Sequence, residues 1–121
     1  MNAYTVASVR KFLFYSVSDA AKYVGNVDVR TWRKYESGAL KAPSRVIFNL
    51  NDMLSTRTVM LKFLTKNSID PDGTKSLTFY PNVNDWTEDA YLYKIYCSAV
   101  ASIVCMNPEV KLIRAYKNAI L

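Results

Sequence analysis

Histidine is absent from the 121 residues, and glycine, proline and cysteine are scarce, with three, four and two copies. Because histidine is the commonest general base and the usual activator of a nucleophile, the chain lacks the side chain on which most such mechanisms depend. The glycines stand far apart, at Gly25, Gly38 and Gly73, so there is no glycine-rich phosphate loop. We therefore expect no catalytic residues and no enzyme activity.

The cysteines, Cys97 and Cys105, are too few and too widely spaced for a disulfide or a metal site. On one helix an axial rise of roughly 12 Å would separate them, which is too far for a disulfide bond. With no histidine and no third cysteine, no metal ion or other cofactor is expected. We interpret both cysteines as small buried apolar side chains, the alternative being a reactive thiol.

Long hydrophobic runs are also missing. The longest, Ala99 to Met106, is interrupted by Ser102 and is too short to cross a bilayer. The N-terminal stretch holds Arg10 and Lys11 where a secretory signal would be apolar. We expect a soluble cytoplasmic protein with no membrane partner.

Positive charge is present in excess and is unevenly distributed. The net charge is +6, and hydrophobic residues make up 50% of the chain, which is typical of a globular protein. Residues 1–45 contain eight basic and three acidic residues, whereas residues 46–121 contain eight basic and seven acidic residues. This asymmetry indicates a polyanionic partner for the first third and a different role for the rest.

Helix signals are clear in that basic third. The segment Asn2 to Phe14 has apolar residues at helical spacing. Ser16 to Asp19 then has the form of a capping box, which predicts a helix over Val17 to Val24. Gly25 is placed to end this helix.

A second short helix follows after a tight turn. Asp28 is a suitable N-cap for a helix over Val29 to Ser37, and Gly38 is placed to end it. Two short helices joined in this way are typical of a DNA-reading helix-turn-helix, although helical hairpins in bundles have the same pattern.

The remaining segments predict a long helix, a strand and two further helices. The long helix covers Ser44 to Lys66, and a short strand covers Ser76 to Tyr80. This strand is expected to pair with a second strand or across a dimer axis. Tyr91 to Cys105 predicts a buried helix, and Pro108 to Ile120 predicts an amphipathic one.

The helix Val29 to Ser37 has two unlike faces on a helical wheel. Trp32 and Tyr35 fall on one face, where they can enter a core. The other face carries arginine, lysine and valine side chains. Arginine can donate two hydrogen bonds to guanine, and valine can contact a thymine methyl group. The alternative is a solvated basic face on a structural helix. The predicted base-reading residues share the other face, within about 140° of arc: Val29, Arg30, Arg33 and Lys34.

Phosphate contacts are expected around this helix. The helix that follows Ser16 offers free backbone N–H groups, which attract phosphate. Each candidate could equally be an ordinary surface residue. The candidates are polar or basic and lie at or near helix N-termini: Ser16, Ser18, Thr31, Lys41, Ser44 and Arg45.

Several sequence blocks are similar to those of a known family. The region Val17 to Val46 resembles the lambda-repressor-like helix-turn-helix superfamily, and more narrowly the anti-CRISPR-associated (Aca) phage repressors and their YdiL-like bacterial relatives. The similarity covers roughly residues 1–105. The blocks that carry it are Ser18-Asp19-Ala20-Ala21, Gly25-Asn26-Val27-Asp28, Arg30-Thr31-Trp32-Arg33, Tyr35-Glu36-Ser37-Gly38 before Pro43, the opening Met1-Asn2-Ala3-Tyr4, Phe79-Tyr80-Pro81 and Lys94-Ile95-Tyr96-Cys97-Ser98-Ala99-Val100-Ala101.

The resemblance implies a mainly α fold. A helix-turn-helix DNA-binding domain (residues 1–66) would precede a small α/β dimerisation domain with a short strand and helices (residues 67–121). It also implies a homodimer on an inverted repeat in a promoter and, for the phage members, autorepression of an anti-CRISPR operon. The recognition arginine of the family falls on Arg30. Arg33 and Lys34 depart from the uncharged residues more common there, and residues 108–121 have no counterpart.

The sequence as a whole predicts a homodimeric transcriptional repressor that binds double-stranded DNA at an inverted repeat. Two other classes stay open. One is an RNA-binding regulator, although A-form RNA hides its base edges in a deep major groove. The other is an antitoxin-like protein-interaction module, whose C-terminal aromatic residues would bind a partner protein.

Overall fold

The computed structural model describes residues 1–68, 75–86 and 89–115. The chain divides into two compact units, Met1–Thr56 and Arg57–Leu121. The sequence predicts a domain boundary after residue 66, later than the division between these units. Both positions belong to one long helix, in which no turn residue marks a boundary.

The described residues form five α-helices and two strands, so the predicted mainly α fold with a small α/β unit is confirmed. A π-helical turn follows the second helix, and a 3₁₀ turn precedes the fifth. None of the helices in the described ranges is long and apolar enough to cross a membrane. The elements, in chain order, are α1 (Ala3–Phe12), α2 (Val17–Ala20), the π-helical turn (Ala21–Gly25), α3 (Val29–Ser37), α4 (Ser44–Lys66), β1 (Ser76–Phe79), the 3₁₀ turn (Val83–Asp85), α5 (Ala90–Met106) and β2 (Lys111–Arg114).

Side-chain caps define where the first three helices begin. Asn2 accepts a hydrogen bond from the Thr5 amide at the start of α1. The predicted capping box is present at α2, where Ser16 and Asp19 each accept a hydrogen bond from the other's backbone N–H. Such caps satisfy N–H groups that have no partner in the first helical turn. Local sequence therefore determines the helix starts.

The turn after α2 differs from the prediction. The helix widens into a π-helical turn, and the Val27 amide donates to the Ala21 carbonyl over 3.0 Å. The helical segment ends at Gly25, as predicted, and the residue that follows, Asn26, is left-handed with φ of 49°. A Cβ on Gly25 would lie 3.1 Å from a ring carbon of Trp32. Gly25 is therefore required for the close approach of this ring.

The core of the first unit is built from all its helices. Trp32, on α3, is completely buried, and so are Leu13 and Leu50. Tyr35 lies edge-on to Trp32, with ring centroids 5.7 Å apart. The other buried apolar residues of this unit are Val6, Tyr15, Ala20, Ala21, Val24, Val46 and Met53.

The second unit contains a strand–helix–strand arrangement. β1 and β2 pair in parallel, from Ser76 with Lys111 to Phe79 with Arg114. The two strands are joined through α5, as parallel pairing requires a long crossover connection. The prediction of a helix over Pro108 to Ile120 is therefore wrong for Lys111–Arg114, since β1 offers backbone partners that a helix would leave unpaired. From residue 116 on, that predicted helix lies outside the described residues.

Helix α5 supplies most of the core of the second unit, which confirms the buried helix predicted over Tyr91 to Cys105. Tyr93, Tyr96, Val100 and Ile103 pack with Leu77 of β1 and with the end of α4. The two cysteines differ. Burial raises the pKa of the half-buried Cys97 thiol, whereas Cys105 is exposed. The prediction that both cysteines are buried is met only in part by Cys97 and is wrong for Cys105. Cys105 follows the buried Ile103 by two residues and so faces away from the core.

We expect Gly25→Ala to lower the free energy of unfolding by about 1–3 kcal/mol, since overpacking forces neighbouring groups to shift. The added methyl group would lie 2.9 Å from Val27 Cγ2 and 3.1 Å from Trp32 Cε3. Urea denaturation measures the effect. The matched control is Asn26→Gly, which places glycine at a positive φ and should not lower stability. Equal stability of Gly25→Ala and the parent protein would contradict close packing at this turn.

Candidate nucleic-acid interface

Helix α3 has a buried face and a charged face, as the helical wheel predicts. Asp28 caps its start by accepting a 2.7 Å hydrogen bond from the Thr31 amide. Gly38 ends it in the left-handed conformation, with φ of 83°. Trp32 and Tyr35 are buried on one side, at 0% and 4% exposure.

The predicted base-reading residues lie together on the other side of α3. Arg30, Arg33 and Lys34 are exposed, and Val29 is half-buried. Within the described ranges, none of these three cations forms an ion pair. The hydrogen bonds from Thr31 lower the pKa of Asp28, and the charges of Arg30 and Lys34 add to this effect. The arrangement presents three cations from one short helix to solvent.

A network of polar contacts holds α3 against α1. The Arg10 guanidinium binds the Glu36 carboxylate through two hydrogen bonds, Nε to Oε2 at 2.6 Å and Nη2 to Oε1 at 3.1 Å. Its Nη1 donates to the Tyr15 carbonyl, and the Trp32 indole N–H donates to Glu36 Oε2. The Arg10 and Glu36 side chains are only 12% and 15% exposed. A planar guanidinium pairs in this bidentate way with a carboxylate.

The Glu36 carboxylate is stabilised in its charged form by this network. Burial by itself raises the pKa of Glu36. The hydrogen bonds from Arg10 and Trp32, together with the charge of Arg10, outweigh burial and hold that pKa below its ordinary value. Glu36 therefore holds α3 against α1 through Arg10, and it does not pair with the cations on the exposed face of α3.

A second set of contacts joins α4 to the turn before α3. Arg45 Nη1 donates to the Gly25 carbonyl at 2.5 Å, and Asn49 Nδ2 donates to the Val24 carbonyl at 3.0 Å. The sequence predicts no role for Asn49 and only a phosphate contact for Arg45. No sequence signal marks either contact, because the partners are 20 and 25 residues apart.

The candidate phosphate-binding residues lie on four different segments. Ser16 and Ser18 are exposed at the start of α2, where the Ser16 hydroxyl already accepts from the Asp19 amide. Thr31 is half-buried in the first turn of α3. The remaining three are exposed in the linker before α4 and in its first turn: Lys41, Ser44 and Arg45.

The described part of the chain contains no cluster of potential metal ligands. The geometry instead defines a class of helical protein in which one short helix has two faces. Its cationic face is exposed, and its aromatic face is buried in the core. A family model described as Aca2/YdiL-like matches residues 1–112, and the chain belongs to this family. The resemblance inferred from the sequence blocks is thereby confirmed. The match extends past residue 105, so the expectation that residues 108–121 have no counterpart is wrong for residues 108–112.

The chain is also similar to a phage protein. That relative is the "Aca2 repressor" of Pectobacterium phage ZF40, which is 33% identical to this chain over 82 residues. The matched region is 68% of this chain and 70% of the relative.

We expect Glu36→Gln to lower the free energy of unfolding at pH 7 by about 3 kcal/mol, because Arg10 would keep its charge in a mostly buried position without a counter-ion. Urea denaturation at constant pH measures the loss. The matched control is Glu109→Gln, which removes the carboxylate of the exposed pair with Lys75 and should have no measurable effect. Similar losses for both variants would contradict a special role for the Arg10–Glu36 pair.

The same variant also has a pH signature. Because the pKa of Glu36 is lowered in the folded protein, its contribution to stability is complete above about pH 5 and is lost as the pH falls through the folded-state pKa. The difference in stability between the parent protein and Glu36→Gln should therefore shrink toward pH 3. A difference that stays constant from pH 7 to pH 3 would contradict this assignment.

Proposed function

We propose that this protein is a sequence-specific DNA-binding transcriptional repressor that acts through a helix-turn-helix. The single observation that carries the proposal is the two-sided α3, with three exposed cations on one side and a completely buried Trp32 on the other. The repressor name of the phage relative supports the same function. The excess of basic residues in the first 45 positions agrees with a polyanionic partner.

In this proposal α2 and α3 are the two helices of the motif, and α3 enters the major groove. Arg30, Arg33 and Lys34 then face base edges, where arginine can donate two hydrogen bonds to O6 and N7 of guanine. Val29, at the start of α3, is suited to contact with a thymine methyl group. A firmly anchored helix supports this function, because base reading requires precise side-chain placement.

Phosphate contacts are proposed to surround α3 and to fix its register on the duplex. The hydroxyl groups of Ser16 and Ser18 would contact the backbone beside α2, and that of Thr31 beside α3. Lys41, Ser44 and Arg45 would contact it where the chain enters α4. Five of these six residues are exposed, which supports their access to a duplex.

We further propose that residues 67–121 form a dimerisation domain. Leu112 and Ile113 of β2 are exposed, at 43% and 53%, and exposed apolar groups of this kind favour a protein interface. A two-fold homodimer would present two α3 helices to half-sites about 10 bp apart, so the operator would be an inverted repeat. The family membership supports autoregulation of an anti-CRISPR operon as the biological role.

Selection of binding sites from a random duplex library tests the function directly. We expect an inverted repeat to be enriched, and a mobility shift on the DNA upstream of the gene to give a complex with two chains per duplex. Recovery of no preferred sequence would exclude a specific repressor. Displacement of the DNA by the chain's own transcript, or a stoichiometric co-purifying protein, would favour an RNA-binding regulator or an antitoxin-like module instead.

We expect Arg30→Ala to weaken binding to the selected operator by about 1–3 kcal/mol and to relax the preference at one base position. Binding to random DNA should change far less, because direct base contacts supply the specificity. Fluorescence anisotropy on both duplexes measures the two affinities. Lys62→Ala, which removes one exposed positive charge from α4 in the second unit, is the control. Equal losses on operator and random DNA would refute the base-reading role of Arg30.

Lys41→Ala should behave differently from Arg30→Ala. Its side chain is proposed to bind phosphate, so operator and random DNA should lose affinity by the same factor. The slope of log affinity against log salt should also become shallower by about 0.9, since one fewer counterion is released. Affinity measured across a salt series tests this. A slope equal to that of the parent protein would remove Lys41 from the phosphate contacts.

A further inference from the structure

Two side chains of α4 bind the turn that leads into α3. The Val24 and Gly25 carbonyls belong to the last turn of the π-helical segment, and both residues are buried. Carbonyls at a helix end have no following N–H group, and leaving them unpaired when buried costs free energy. Asn49 donates to Val24, and Arg45 donates to Gly25. The end of the π-helical turn is therefore completed by α4.

This contact lies directly before the reading helix. Asn26 and Val27 are the only residues between Gly25 and the cap of α3 at Asp28. A movement of the Gly25 carbonyl would therefore move the start of α3, where Val29 and Arg30 stand. The positive charge of Arg45 also interacts favourably with the partial negative charge at the end of the preceding helix.

We propose that Asn49 and Arg45 are positioning residues that set DNA selectivity by fixing the turn before α3, without Asn49 contacting DNA. This inference rests on the proposed function. The guanidinium of Arg45 has five N–H groups and uses one of them on Gly25, so a phosphate contact through the others is compatible with this role. Asn49 is half-buried, and its side-chain amide donates to the Val24 carbonyl. Because Asn49 is uncharged, its replacement tests the positioning role without removing a positive charge.

Asn49→Ala is the first test. We expect the ratio of operator to random-DNA affinity to fall about tenfold, within the range for loss of one base contact. The salt slope should stay equal to that of the parent protein, because no phosphate contact is lost. Asn51→Ala is the matched control, since Asn51 is an exposed asparagine on the same helix and should change neither quantity.

Arg45→Ala is the second variant, and because Arg45 is exposed it is expected to fold even if Asn49→Ala does not. It should lose the same selectivity. Its salt slope becomes shallower by about 0.9 only if the free N–H groups of Arg45 also bind a phosphate. All affinities are measured at a temperature at which circular dichroism shows each variant to be folded, so a general loss of stability does not alter the ratio.

Amide hydrogen exchange without DNA separates this inference from the proposed function. The Val27 amide donates to the Ala21 carbonyl. Its exchange rate should rise in Asn49→Ala and in Arg45→Ala, and it should equal that of the parent protein in Asn51→Ala. Faster exchange with an unaltered affinity ratio would overturn the link to selectivity. Unaltered exchange would overturn the positioning role itself. If the parent protein shows no DNA preference, the proposed function fails and the selectivity role falls with it, whereas the exchange result still reports on the turn.

Discussion

The burial of the Trp32 ring against Gly25 is the constraint on which the cationic face of α3 depends. A buried indole requires a hydrogen-bond acceptor for its N–H group, and the Trp32 N–H donates to the Glu36 carboxylate. A mostly buried carboxylate requires a counter-ion, and Arg10 of α1 provides it for Glu36. The aromatic side of α3 is thus fixed by packing and by a hydrogen-bonded ion pair together. The orientation of Arg30, Arg33 and Lys34 toward solvent follows from this anchoring.

All three acidic residues of the first 45 positions have structural partners in the first unit. Asp19 accepts a backbone hydrogen bond in the capping box of α2, and Asp28 accepts one at the start of α3. Glu36 is bound to Arg10 and Trp32. Each acidic side chain therefore stabilises the position of a helix. Within the described part of the chain, Arg30, Arg33 and Lys34 are exposed on one helix and form no ion pair.

The second unit is held together mainly by apolar packing. Its core is an aromatic and aliphatic cluster centred on α5, with Trp86 and Tyr96 rings 4.6 Å apart. The two-stranded sheet is too small to bury both of its faces, and all four residues of β2 are exposed. A small sheet with exposed apolar residues agrees with the proposed dimerisation role. It also agrees with the nearly balanced charge of residues 46–121.

The sequence by itself determined where the first three helices begin, because caps and apolar spacing act over three or four residues. Asp28, Gly38 and the two faces of α3 were all predicted in this way. Tertiary structure alone decided the contact of Glu36 with Arg10 and that of Asn49 with Val24, whose partners are 26 and 25 residues apart and leave no local pattern. It also decided that Lys111–Arg114 forms a strand, since a short apolar segment becomes a strand only when a neighbouring strand supplies its hydrogen bonds.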